Sequence, residues 1–229
     1  MNAIEFGVNV FVALFALLDP IGNIPIFAAA TAGATFSQRL SVNAMLCAFV
    51  VAFLVLFYFS GLALLDFFGI SLAAFRIGGG ILLFLLGLQM VNEDFLASFK
   101  DPHALTDSQD VRGYARRRFQ RLVVPFAMPL IIGPGAISTI IIQAARAEDL
   151  GAAGTVAGLI AIAAAGLATF VCFAMAGPIN RLLGEVGMSI IVRVLGLILV
   201  ALGIQFILGG LGEALPGMFA TSVVAPTSH

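Results

Sequence analysis

The sequence predicts an all-α integral membrane protein. It has six transmembrane helices, arranged as two inverted three-helix repeats, with spans one and four broken by prolines. Three observations lead there. Six apolar runs are each long enough to cross a bilayer, the composition is too apolar to make a water-facing surface, and two signatures recur in the same order in the two halves.

The runs are Phe6–Thr31, Val42–Leu65, Leu72–Val91, Leu122–Gln143, Ala152–Ala176 and Met188–Leu211. A helix needs about 20 apolar residues to cross the hydrocarbon core. Helices are expected because an open strand edge in lipid leaves backbone groups unpaired, and the runs lack the alternation of a membrane barrel. The first run could be mistaken for a signal peptide. Its leader carries Glu5 and no Lys or Arg, so it reads as a retained span.

Hydrophobic residues make up 61% of the chain and charged residues 10%, against about 25% charged in soluble domains. The net charge of −1 gives no basic field for nucleic acid. Cys47 and Cys172 sit inside apolar runs and behave as small hydrophobes, not as a disulfide framework. His103 and His229 lie in a loop and at the C-terminus, so no imidazole is available within a span as metal ligand or base. No metal and no cofactor is expected.

The organisation expected is a first repeat over residues 1–91, a polar loop over 92–121, a second repeat over 122–215 and a flexible tail over 216–229. The loop holds Lys100, Arg112, Arg116, Arg117, Arg118 and Arg121, six of the eleven Lys and Arg residues. Lys and Arg concentrate on the cytoplasmic side, so the loop is expected inside and both termini outside. The same arginines could also bind anionic lipid or a partner.

The repeat rests on two pairs of matches. Gly80, Gly87 and Gln89 in span three have the spacing of Gly196, Gly203 and Gln205 in span six, with Leu83/Leu199 and Leu86/Leu202 also matching. Pro20 and Pro25 in span one match Pro129 and Pro134 in span four. A unit with an odd number of spans inserts its second copy upside down, as in many secondary transporters.

The chemistry concentrates at the proline breaks. Asp19 lies well inside span one, where an acid costs about 2.5–3.5 kcal/mol at the helix centre. Asn23 is four residues on, on the same helical face, with Gly22 between them. Pro20 and Pro25 have no N–H for the carbonyls of Ala16 and Ile21, and Pro129 and Pro134 none for those of Pro125 and Leu130. Gly133 and Gly135 flank Pro134 and favour an interruption, after which a new helical segment is expected to begin at Ser138 and Thr139. Its N–H groups and positive dipole end would suit a carboxylate. Together these groups can hold a zwitterion. The plainer alternative is that the prolines only kink two helices and Asp19 pairs with a local donor. Gln89 and Gln205 are expected to bond between helices or line a path.

At these motifs the sequence resembles the MarC family of bacterial inner-membrane proteins. The resemblance is carried by Leu18-Asp19-Pro20-Ile21-Gly22-Asn23-Ile24-Pro25, by Phe75-Arg76-Ile77-Gly78-Gly79-Gly80, by the stretch from Pro125 to Thr139 and by that from Arg193 to Gln205. It implies six spans with outward termini in the inner membrane. It is also similar to six-span neutral amino acid transporters of the LysE-like superfamily, which implies transport of glycine- or alanine-sized solutes. The expected function is thus secondary transport, with Asp19 a candidate to couple a proton. The alternative is a non-transporting assembly or regulatory component. An intramembrane enzyme is disfavoured, because the spans offer no histidine and Ser138 no basic partner. A small solute and the bilayer are the expected partners, and the oligomeric state stays open.

Overall fold

The computed structural model describes residues 2–92, 95, 99 and 110–215. The tail 216–229 and most of the polar loop, including Lys100 and His103, lie outside the described residues, as does His229. Every regular element among the described residues is helical: α1 (Ala3–Leu18), α2 (Ile24–Ala30), α3 (Phe36–Phe67), α4 (Leu72–Val91), α5 (Val111–Leu122), a π-helix (Val123–Ile131), α6 (Pro134–Glu148), α7 (Gly151–Ala174) and α8 (Ala176–Ala214).

Local signals set the starts. Asn2 and Glu5 form a reciprocal capping box on α1, and Thr35 and Gln38 do the same for α3. Ser71 caps α4, which spans the expected residues. The helices α3, α4, α7 and the Val186–Ala214 part of α8 are long and apolar enough to cross a membrane. α8 bends at Gly184, whose φ of +64° breaks the helical geometry, and the expected sixth span follows this kink. By contrast, α1 has 16 residues, roughly 24 Å at about 1.5 Å per residue, short of a hydrocarbon core of about 30 Å.

The first and fourth apolar runs are each divided into two helical segments. α1 and α2 share the first apolar run. In the fourth, the π-helix runs to Ile131 and a separate helix restarts at Pro134. The restart comes four residues earlier than the expected Ser138. Gly133 takes the extended N-cap conformation (φ −74°, ψ 165°), and proline suits the first turn because no acceptor exists there for an N–H.

α4 packs most extensively against α8, and glycine makes this possible. A Cβ built on Gly80 would lie 2.6 Å from the Gly203 carbonyl oxygen, and one on Gly87 2.6 Å from that of Gly196. The reverse distances are 2.6 and 2.8 Å. The two helices therefore cross antiparallel with their backbones in contact, and an Arg76–Glu213 ion pair joins them at one end. Elsewhere α3 is fastened to α7 by the buried Asn43, whose Nδ2 donates to the Phe170 carbonyl at 2.8 Å. Cys47 and Cys172 are both free thiols. The short α5 buries Tyr114, Ala115, Arg118 and Leu122 and exposes Arg112, Arg116, Arg117 and Arg121.

This contact sets a prediction. Gly87→Ala forces a methyl against a backbone carbonyl that cannot turn aside, and should destabilise the fold by about 1–3 kcal/mol. Gly78→Ala meets nothing within 4 Å and should leave stability unchanged or raise it by up to about 1 kcal/mol through helix propensity. Thermal unfolding of the purified protein in detergent checks both.

Candidate functional site

The span-one break is built by Asp19 and Asn23. α1 stops because Asp19 takes the left-handed conformation (φ +40°, ψ 60°), the only non-glycine residue with positive φ among those described. Asp is among the few residues that tolerate this region. Its Oδ1 accepts the Gly22 N–H at 3.1 Å. Asn23 Nδ2 donates to both the Leu18 and the Asp19 carbonyls at 3.0 Å. The Ile21 carbonyl, expected to be free, accepts the Ile24 N–H at 3.2 Å instead. The turn thus gives the Leu18, Asp19 and Ile21 carbonyls partners before α2 begins, with Pro25 in its first turn.

The span-four break is built differently. Pro129 lies in the π-helix, whose ladder ends with the Ile132 N–H donating to Ala127, five residues back, at 2.9 Å. Such widened turns concentrate at functional sites. No side chain caps the N-terminus of α6. The first capping bond is from the Ile137 N–H to the Gly133 carbonyl at 3.2 Å, so the N–H groups of Gly135 and Ala136 form the open positive end. Ser138 is fully buried and donates its hydroxyl back to the Pro134 carbonyl at 2.6 Å.

The two breaks meet around a cavity of about 30 Å³. Asp19 and Asn23 come from the first break, Gly133, Gly135 and Ala136 from the second. Leu17 of α1, Leu83 of α4, Leu130 of the π-helix and Leu199, Leu202 and Phe206 of α8 line its sides. A space of that size suits one water molecule. Among the described residues, Asp19 is the one ionisable side chain in the lining. A separate cleft of about 710 Å³ between α1 and α7 is lined by Ala, Gly and other apolar residues and shares no lining residue with this cavity.

The expected site residues divide accordingly. Asp19, Asn23, Gly133 and Gly135 line the cavity. Pro20, Gly22 and Pro25 shape the first turn and Pro134 the second. A Cβ on Gly22 would collide with the Asp19 carboxylate, and one on Gly79 with the Pro134 ring, so both glycines admit the break. Ser138 and Thr139 are outside the lining, because α6 starts a turn earlier. Gln89 and Gln205 are exposed on α4 and α8. They lie off the α4–α8 contact, which uses the glycine face, because a residue two positions on points away from it. The sequence reading missed Leu83, Leu199, Leu202, Phe206 and Ala136. The matched Leu83/Leu199 pair was the available signal. Among the described residues no three His, Cys, Asp or Glu side chains group as a metal site.

Comparison with known proteins agrees with the motifs. The family model described as "MarC family integral membrane protein" matches residues 4–215. The chain is 36% identical to the UPF0056 membrane protein YhcE of Escherichia coli, over 91% of this chain and 93% of the relative. It is 33% identical to the UPF0056 membrane protein YvbG of Bacillus subtilis, over 94% and 96% respectively. A UPF0056 membrane protein of Buchnera aphidicola is 34% identical over 95% of this chain and 99% of its own. No solved structure matches the chain. With motifs, family model and full-length relatives in agreement, the chain belongs to the MarC family of integral membrane proteins.

Proposed function

We propose that this protein is a secondary transporter of small neutral amino acids, binding the zwitterion between the two broken spans. One observation carries the reading: a lone carboxylate and the uncapped positive end of a helix face the same buried cavity. Asp19 would hold the ammonium. The N–H groups of Gly135 and Ala136 would hold the carboxylate, as helix N-termini do for anions. Gly and Ala on one side and Leu on the other leave room for only a small side chain. The cavity as it stands is too small for an amino acid, which fits a closed form that must widen to admit one.

The chain path supports six crossings, with α1–α2 and the π-helix–α6 pair as broken spans beside α3, α4, α7 and α8. The reciprocal glycine pairing of α4 with α8 supports an inverted relation of the two halves. The arginine-rich loop region would face the cytoplasm, with both termini outside, in the bacterial inner membrane. As the one ionisable group in the lining, Asp19 would also couple a proton.

Reconstituted protein in liposomes should accumulate labelled alanine or glycine under an imposed pH gradient. Asp19→Asn should lower this flux at least about tenfold, the scale of one charge-assisted hydrogen bond. Asn also tolerates the left-handed conformation, so its thermal midpoint should stay near the parent's. Gly22→Ala, which pushes on the same carboxylate, should cut flux by a similar factor. Absence of flux for every small neutral amino acid, or full flux in Asp19→Asn, overturns the proposal.

A further inference from the structure

The geometry points to a gate on the α5 side of the cavity, made of a buried phenylalanine stack and held shut by Arg118. It rests on the transport reading for its purpose, though its test does not. α2 leads away from the cavity at Asn23 and ends at Ala30, and the π-helix leads from α5 to the same cavity. A solute leaving in that direction passes between these two segments.

Three rings pack against one another where α2, the π-helix and α7 meet. Phe27 lies one turn beyond Asn23 on α2, Phe126 lies in the π-helix, and Phe173 comes from α7. All three are fully buried. Phe27 and Phe173 stack at 4.8 Å between centroids with planes 8° apart. Phe126 lies 6.4 Å from Phe27 and 5.9 Å from Phe173. Phe99 packs edge-on against Phe126 at 6.1 Å. Each ring belongs to a different segment, so relative movement of those segments opens the stack without breaking a covalent or backbone bond.

Arg118 fixes the segments in the closed arrangement. It is 5% exposed, an unusual position for a cation unless it is bonded. Its Nε donates to the carbonyl of Ala30, the last residue of α2, and its Nη2 to the carbonyl of Phe99. The guanidinium thus sits at the negative end of the α2 dipole and ties α5 to α2, which carries Phe27, and to Phe99, which packs on Phe126. α2 has seven residues and too few internal bonds to hold its own position. Asn23 holds one end and Arg118 the other. Bonds made only in the closed form weight the equilibrium towards it.

The test uses the full chain in membrane vesicles, with Cys47→Ala and Cys172→Ala and a single reporter, Ala136→Cys, in the cavity wall. A membrane-impermeant maleimide is applied from either face. The reporter should react slowly from the α5 face. Arg118→Gln should raise that rate at least about tenfold and leave the rate from the opposite face unchanged. Arg118→Lys, which keeps the charge but cannot fork between two carbonyls, should fall between. Phe173→Leu, which loosens the stack and removes no charge, should also raise the α5-side rate. An equal rise from both faces, indicating a loosened fold, overturns the gate. So does an unchanged α5-side rate in both Arg118→Gln and Phe173→Leu. One-sided opening in a protein that carries no amino acid would keep the gate and remove the transport reading. Alanine flux with unaltered labelling would do the reverse.

Discussion

The double hydrogen bond from Asn23 Nδ2 to the Leu18 and Asp19 carbonyls is what allows a helix to be interrupted here at all. Hydrocarbon offers no partner for a released peptide carbonyl, and each one left bare costs several kcal/mol. The Gly22 N–H, which a continuous helix would give to the Leu18 carbonyl, goes to Asp19 Oδ1 instead. Asn23 Nδ2 gives that carbonyl a donor from within the turn, and the same economy recurs elsewhere. Thr31, Ser138 and Thr169 are buried hydroxyls that donate to carbonyls four residues back, and Asn43 serves a carbonyl on another helix. The buried polar side chains mostly complete the backbone. Asp19 differs. A carboxylate can accept about four hydrogen bonds, and among the described residues the Gly22 N–H supplies one. Asp19 also lines the cavity.

A second constraint follows from the solvent. Lipid tails are as apolar as leucine, so helices associate by close packing and not by hiding hydrophobic surface. The glycines of α4 and α8 bring two backbones together over the length between Gly80 and Gly87. The same pair of helices presents Leu83 and Leu199 to the cavity, and Gly79 of α4 receives Pro134 at the start of α6. The scaffold that fixes the fold therefore also fixes one wall of the site and the docking point of one broken helix.

The short α2 links this interior to α5. Its N-terminal end is determined by the hydrogen bonds of Asn23, and its C-terminal carbonyl is held by Arg118. Between them Phe27 joins the aromatic stack. A change in position of α5 would thus reach the Asp19 turn through a single element of seven residues, which is a short mechanical path for coupling the cavity to the α5 side of the protein.

The sequence by itself determined the apolar runs, the proline positions, the acid at Asp19 within the first run and the glycine signature shared by Gly80, Gly87, Gly196 and Gly203. These depend on length, on a missing N–H or on a missing Cβ, all properties of a residue and its near neighbours. The restart of the fourth run was less legible, because both Pro134 and Ser138 satisfy local rules for a helix start, and packing of the proline ring on Gly79 favours the first. Burial was least legible. In water a helix declares its inner face by polar contrast, whereas in hydrocarbon both faces are apolar. Nothing local separates the buried Phe27, Phe126 and Phe173 from the exposed Phe59 and Phe67, or Arg118 from the four arginines around it. Only the three-dimensional placement of α2, α5, the π-helix and α7 decided which rings form a plug, which arginine is buried, and that Gln89 and Gln205 turn outward.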